Sequence, residues 1–202
     1  MNKPKYAKVN NEEYEINTDF RVALEVNQIA RDTSIGDFER SLAVIYKLFG
    51  DKGLECEDKA TLLEKAIKYI LLGRDKKELK INPNDKFELD FFKCEGLIRS
   101  SFKFDYGYDP YELDYLHYYD FYNDLENLSA NEFNCCVLNR IIMILNEEPS
   151  EVKDSKQRKK LIEAQRELRK KYCVDNGEKL TDKEKRSVLN LYEELGLRKG
   201  DT

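Results

Sequence analysis

The chain has 202 residues, of which 41% are hydrophobic and 37% charged, so it holds enough apolar material for one sizeable domain. The high charged fraction and a mean hydropathy of -0.74 predict that some charges lie on helices that are solvated on most sides. No stretch approaches the roughly 20 consecutive apolar residues of a membrane span, and the N-terminus lacks a secretory signal. We therefore expect a cytoplasmic protein that does not enter a membrane.

The first residues predict a β-hairpin. Aromatic and β-branched side chains lie on both sides of Asn10-Asn11, and Asn tolerates the positive φ that a tight hairpin turn requires. The apolar members of the two strands are Tyr6, Val9, Tyr14 and Ile16. Because a two-stranded ribbon is barely stable alone, we expect it to pack on helices or on another chain.

Three amphipathic helices follow the hairpin. Apolar residues recur at helical spacing over about 20–32, 37–49 and 58–72. Thr18 or Asp19 caps the first helix, while Gly50 and Gly73 follow the second and third. On the second helix the predicted inward face is Phe38, Leu42, Ile45, Leu48 and Phe49.

A polar connection over 74–86 leads to a second group of helices. The fourth helix is predicted over about 87–104, with Gly107 beyond it. Asp109-Pro110 then gives an N-cap followed by Pro at the first helical position, which predicts a fifth helix to about residue 125. A capping box at Ser129 predicts a sixth helix that reaches Leu145.

The last quarter of the chain has a different character. Residues 150–172 predict a long charged helix with a thin apolar stripe, and a capping box at Thr181 predicts one more helix. The fold class is therefore mainly α, with an N-terminal β-hairpin followed by a bundle of about six helices and a charged C-terminal helical arm. We expect a core domain over 1–148 and a charged helical pair over 149–202.

Charge is distributed unevenly between these two parts. Residues 151–186 hold 13 Lys and Arg against 8 Asp and Glu, whereas residues 1–150 hold 20 against 29. A basic segment can bind nucleic acid, but it can also bind an acidic protein surface or the chain's own body. Interleaved glutamates favour a solvated helix or a protein contact.

Thirteen of the 23 aromatic residues lie between Phe87 and Tyr122. On the predicted fifth helix, Tyr111, Tyr115, Tyr118 and Tyr122 would share one face. The simplest interpretation is a central core helix, and the sharper one is a protein-binding surface, which tyrosine suits because its hydroxyl tolerates water. Both can hold at once, whereas the surrounding carboxylates disfavour nucleic acid.

The sequence carries no recognisable catalytic signature. Its single histidine, His117, lies among tyrosines without a nucleophile motif, which favours a packed or hydrogen-bonded structural role. The five cysteines form no CxxC pair, so we expect neither a disulfide framework nor a zinc site. We expect no enzyme, no cofactor, no metal and no small-molecule substrate.

Two segments carry a resemblance to a known family: EYEINTDFRVALEV near the start, and FDYGYDPYELDYLHYYDFYNDLENLSANEFNCCVLNRIIMI from residue 104. They resemble small proteins of tailed phages and prophages of Gram-positive bacteria, encoded in the tail-morphogenesis region beside the tape measure gene. Residues 14–26, 105–109, 116–121 and 141–144 match the family's features in order. Tyr118-Tyr119 replaces the usual Trp-Trp pair, which keeps an amphipathic aromatic, and Leu145-Asn146 replaces an Ile-Arg.

The resemblance implies a tail assembly chaperone in the host cytoplasm that binds the tape measure protein and also recruits tail tube protein, with self-association left open. It carries over no catalytic residue. Our hypothesis for the contact surfaces comprises two sets: the tyrosine face (Tyr111, Tyr115, Tyr118, Tyr122) and the basic helix (Arg158, Lys159, Arg166, Arg169, Lys170).

Three other functions compete with this one. The first is a structural tail component that remains in the virion. The second is a nucleic-acid-binding regulator that uses 151–186, which the acidic body disfavours. The third is an enzyme built around His117, for which nothing else in the sequence argues.

Overall fold

The computed structural model describes residues 3–74, 87–129 and 135–174. In this part the fold is mainly helical, with an N-terminal antiparallel β-hairpin, so the predicted fold class is confirmed. The strands and helices in chain order are β1 (Tyr6–Val9), β2 (Glu12–Glu15), α1 (Phe20–Arg31), α2 (Asp37–Glu55), α3 (Lys59–Ile70), α4 (Glu95–Tyr106), α5 (Tyr118–Glu126), α6 (Val137–Asn146) and α7 (Ser155–Tyr172). The predicted connection over 75–86 and the predicted helix after Thr181 lie outside the described residues.

Contacts divide the chain into two compact units. The hairpin unit comprises, among the described residues, 3–17 and 25–70. The helical unit comprises 18–24, 71–74, 87–129 and 135–174. The predicted boundary at 148/149 stays a prediction, because much of the C-terminal pair lies outside the described residues.

The hairpin forms where the sequence predicted it. β1 pairs antiparallel with β2, and Asn10 and Asn11 adopt φ of 48° and 67° at the turn. The inward residues of this ribbon are Ala7, Val9, Tyr14 and Ile16. Tyr6 points outward and is 55% exposed, because the alternation of a strand sets it on the face opposite Ala7.

Gly50 interrupts α2 at the predicted place. Its φ of 64° and ψ of -158° suit glycine, and the helix resumes beyond it. The buried face begins at Val44, where α2 meets β2 and α3. Phe38 lies in the first turn of α2, before the buried residues begin, and is 69% exposed, so its predicted place in the core is wrong.

The core of the hairpin unit lies between β1, β2, α2 and α3. Asn17 N donates a hydrogen bond to Leu48 O at 2.7 Å, and Lys52 Nζ donates to Glu13 O at 2.7 Å, which ties the ribbon to α2. Asp58 caps α3 through the backbone N–H of Thr61. The apolar residues that α2 and α3 bury are Val44, Ile45, Leu48, Phe49, Leu62, Leu63, Ala66 and Tyr69.

A stack of three phenylalanines forms the centre of the helical unit. Phe121 lies between Phe20 and Phe102, with ring centroids 4.3 Å and 5.5 Å away, and all three side chains are fully buried. These rings come from α5, α1 and α4 in turn. Three segments that are far apart in the sequence therefore share one aromatic core.

The predicted start of the fourth helix is wrong. Helix α4 begins at Glu95, not near Phe87, because the preceding backbone pairs with the end of α7: Asp90 N donates to Tyr172 O, and Val174 N donates to Glu88 O. Gly107 ends α4 with φ of 75°, as predicted.

Helix α6 begins at Val137, well beyond the capping box predicted at Ser129. Ser129 instead donates its N–H and its hydroxyl to the Asp105 carboxylate at 2.7 Å and 2.6 Å. The Ser129 hydroxyl, which would have capped the predicted helix, therefore forms a long-range hydrogen bond instead.

Candidate functional site

Helix α7 is capped at its start and attached along one side. The Asp154 side chain accepts the backbone N–H of Gln157, which satisfies a donor of the first turn. Gln165 is only 4% exposed, and its Nε2 donates to Ile144 O at 2.8 Å and Glu147 O at 2.7 Å. The side of α7 that carries Gln165 therefore lies against the end of α6, and the opposite side faces solvent.

The solvent side of α7 is strongly cationic. The helix carries eight Lys and Arg residues against two Glu, which gives it a net charge of +6. Lys159, Arg166 and Lys170 follow the spacing i, i+7 and i+11, so they form one row along the helix. We call these three residues the cationic row. Glu163, at i+4 in the same spacing, lies in this row between Lys159 and Arg166.

Four of the five predicted basic contact residues are accessible. Lys159, Arg166, Arg169 and Lys170 are exposed, and within the described part of the chain no cation of α7 forms an ion pair. Arg158 differs, because its guanidinium donates to Val152 O from Nε and Nη2, at 3.0 Å and 2.7 Å. Arg158 therefore fixes the chain that enters α7.

The predicted tyrosine face does not exist as one helical face. The structure replaces the predicted helix over 109–125 with a short 3-10 turn at Pro110–Glu112, an extended stretch and then α5. The extended stretch forms because its backbone pairs with another segment: Phe20 N donates to Leu116 O at 3.0 Å, and Tyr118 N donates to Thr18 O at 2.8 Å. These hydrogen bonds replace the i to i-4 bonds of a helix.

The four tyrosines of the predicted face occupy different environments. Tyr118 and Tyr122 are 2% and 5% exposed, so they belong to the core. Tyr111 is partly buried, with its ring edge-on to Phe20 at 5.0 Å and beneath the Arg99 guanidinium at 4.6 Å. Burial raises the pKa of the Tyr111 and Tyr122 phenols, which keeps both neutral.

Tyr115 alone of the four lies on the surface. It is 55% exposed, and its hydroxyl lies 2.7 Å from Thr18 Oγ1. The neighbouring Leu113 is 36% exposed, and Arg21 Nη2 donates to Asp114 O between them. The loop over 113–115 therefore presents an aromatic and an aliphatic side chain from a hydrogen-bonded backbone.

His117 begins α5. The residue is 6% exposed, and its Nδ1 accepts the backbone N–H of Tyr119 at 3.0 Å, which makes it the N-cap. Its ring also meets the Tyr119 ring edge-on at 5.5 Å. The predicted packed and hydrogen-bonded role is what the structure shows, although the sequence did not indicate that the helix starts here.

Asp109 is a buried carboxylate that fixes the turn before the extended stretch. Its Oδ2 lies 3.0 Å from Arg99 Nη1 and 3.1 Å from Lys103 Nζ, and its Oδ1 accepts the Tyr111 N–H at 3.0 Å. Burial by itself would raise the pKa of Asp109. The hydrogen bonds from Lys103, Tyr111 and Arg99 outweigh burial and hold this pKa below its ordinary value. The sequence predicted the cap at Asp109 but not its two cationic partners on α4.

The cysteines and the candidate metal ligands form no reactive or metal-binding site among the described residues. All five cysteines are free thiols, and burial raises the pKa of Cys94 to about 12, which leaves it a poor nucleophile. In the described ranges, His, Cys, Asp and Glu side chains form no group that could hold a metal ion. Across the same ranges, every helix is too short or too polar to cross a bilayer.

Comparison with known protein families identifies the chain. A model of the family described as bacteriophage Gp15 protein matches residues 3–170. The chain belongs to this bacteriophage family. The match spans most of the chain, from β1 to the cationic row of α7, so it includes residues of both units. Comparisons with curated proteins and with solved structures give no match.

Membership of the Gp15 family confirms the phage part of the resemblance seen in the sequence. The family description names neither a tail function nor a partner.

Proposed function

We propose that this Gp15-family protein acts in phage tail assembly by binding other proteins, as a chaperone-like factor for the tape measure protein. The observation that carries the proposal is the cationic row of α7, which lies on a capped helix that is anchored by Gln165 and has no ion pair of its own among the described residues. The proposal assigns no catalytic step, no cofactor and no small-molecule substrate.

The physical reason concerns what a tape measure protein exposes. A long helical protein shows amphipathic surface until the tail tube covers it, and many weak contacts keep such a surface from aggregating. A row of accessible cations attracts acidic helical surface at long range and is not neutralised beforehand. Tyr115 and Leu113 add exposed apolar area for the same purpose.

A protein partner suits α7 better than nucleic acid does. Glu163 and Glu167 lie within the helix among the cations, and a phosphate backbone would be repelled by both. The net charge of the chain, -5, also disfavours the binding of nucleic acid. A carboxylate-bearing helix can pair with the cations and tolerate the interspersed glutamates.

The test is co-expression with the tape measure protein of the same phage. A triple variant, Lys159→Glu, Arg166→Glu and Lys170→Glu, should lose the ability to keep the tape measure protein soluble. The matched control reverses three exposed lysines of the hairpin unit, Lys5, Lys65 and Lys68, and changes the net charge equally. This control should behave as the wild type does.

Three results would overturn the proposal or part of it. If the α7 triple variant solubilises the tape measure protein as well as the control does, the cationic row is not the contact. If the wild type binds DNA with a steep salt dependence, the regulator hypothesis is correct. If mass spectrometry finds the protein in purified virions, it is a structural tail component and not a chaperone that leaves.

A further inference from the structure

A groove with a cavity of about 290 Å³ opens on the surface of the helical unit, where α4 packs against α6. Its lining residues are Ser100, Phe104, Cys135, Cys136, Val137 and Arg140. None of them belongs to α7 or to the loop over 113–115. The groove is therefore a separate feature from the surfaces discussed above.

Large apolar side chains are left exposed around this cavity. Phe104 is 59% exposed and Val137 41% exposed. Met143, further along α6, is 50% exposed, and its sulfur lies 3.9 Å from Cys135 Sγ. Exposed apolar side chains are ordinary when scattered, but a cluster around a concave site marks a binding surface.

The polar chemistry of the groove is one-sided. Arg140 is exposed and lies one helical turn from both Val137 and Met143. Among the described residues its guanidinium forms no ion pair, and it is the one charged group of the lining. The Ser100 hydroxyl already donates to Gly96 O at 2.7 Å. An occupant that satisfies this groove must therefore bring apolar surface and a carboxylate.

We propose that the groove, lined by Phe104, Val137 and Arg140, binds an amphipathic helix of a protein partner. One large apolar side chain of that helix fills the cavity, and a carboxylate one turn away pairs with Arg140. A helix covers Phe104, Val137 and Met143 together, which a small molecule confined to the cavity would not do. That the helix comes from the tape measure protein rests on the proposed function, since a tape measure protein is rich in such helices. The chemistry by which the groove recognises a helix does not depend on that function.

The direct test uses a defined peptide. A fluorescein-labelled amphipathic helix of about 18 residues, with leucines on one face and glutamates one turn from them, is titrated with the full-length protein by anisotropy. Phe104→Ala should weaken binding roughly tenfold or more. Phe38→Ala is the matched control, because Phe38 is also an exposed helical phenylalanine but lies in the hairpin unit; it should not change binding.

A charge exchange tests the role of Arg140. Arg140→Glu should weaken binding of the glutamate peptide roughly tenfold and should allow binding of a peptide with lysine in place of glutamate. Equal binding by wild type, Phe104→Ala and Phe38→Ala would overturn the proposal, and so would an absence of peptide binding to wild type. A concentration-dependent dimer that Phe104→Ala abolishes would show that a second copy fills the groove, which also refutes it.

The outcomes separate this proposal from the proposed function. If the α7 triple variant loses the tape measure protein while Phe104→Ala and Arg140→Glu change neither peptide binding nor solubilisation, the groove proposal fails and the chaperone function stands. If the wild type does not keep the tape measure protein soluble but peptide binding depends on Phe104 and Arg140, the chaperone function fails and the groove proposal stands.

Discussion

Alanine substitutions of Tyr118 and Tyr115, made one at a time, test where the tyrosines of the predicted helical face belong. The two residues are three positions apart and have the same side chain. Tyr118 is 2% exposed, with its ring edge-on to Tyr119 and Tyr122 at 6.2 Å and 5.9 Å. Tyr115 is 55% exposed and is held by a hydrogen bond with Thr18. We expect very different losses of stability.

The magnitudes follow from burial. Truncation of a fully buried aromatic side chain to alanine costs about 4 kcal/mol of unfolding free energy, because it removes the transfer free energy and leaves a cavity. Loss of Tyr115 removes a half-exposed ring and one surface hydrogen bond, which costs under about 1 kcal/mol. With a urea m-value of about 2 kcal/mol/M, the midpoint falls by about 2 M for Tyr118→Ala and by under about 0.5 M for Tyr115→Ala.

Urea unfolding followed by near-UV circular dichroism measures both values. The chain has no Trp, and most of its 13 tyrosines lie in the helical unit, so the tyrosine band reports on that unit. Equal midpoint shifts for the two variants would refute the burial argument. A stable Tyr118→Ala variant that loses only partner binding would restore the original interpretation of a tyrosine contact face.

Three more substitutions test other parts of the structure. Asp109→Asn should make the unfolding free energy depend less on pH in the acid range. The lowered pKa means that the Asp109 carboxylate stabilises the fold above pH 3.8, its ordinary pKa, and that this contribution is lost as the pH falls through the folded-state pKa. In urea titrations, the wild type should therefore lose more unfolding free energy between pH 5 and pH 2 than the variant does. Gly50→Ala should lower the unfolding free energy by roughly 1–3 kcal/mol, because φ of 64° with ψ of -158° strains an L residue. Gly96→Ala, in the first turn of α4, should change the unfolding free energy by under about 1 kcal/mol in the same urea titrations. Gln165→Ala should speed amide hydrogen exchange in α7, because it removes the hydrogen bonds to Ile144 O and Glu147 O at the end of α6, worth about 1 kcal/mol each. Unchanged exchange in α7 would contradict the proposed anchoring.

Features set by neighbouring residues were predictable. The hairpin turn at Asn10-Asn11, the stop at Gly107 and the cap at Asp109 depend on φ preferences and on side chains that reach backbone groups within a few positions. The cationic row was predictable for the same reason, since helical periodicity alone aligns Lys159, Arg166 and Lys170.

The groove at Arg140 and the environment of each tyrosine were not predictable in this way. Whether Phe104 lines a cavity or packs in a core depends on where α6 crosses α4, and no local signal contains that information. Sequence reasoning also assigned Arg158 to a contact surface, whereas its hydrogen bonds to Val152 O give it a structural role.

The sequence by itself determined the helical class, the ribbon at the start and the charge of α7, because each follows from spacing and composition over a few turns of chain. The tertiary structure decided how residues 113–117 run. Their backbone groups could form hydrogen bonds with the next helical turn or with residues 18–20. The structure has the bonds with residues 18–20, and the same arrangement buries the stack of Phe20, Phe121 and Phe102. That aromatic burial is a long-range gain, so no local propensity could reveal it.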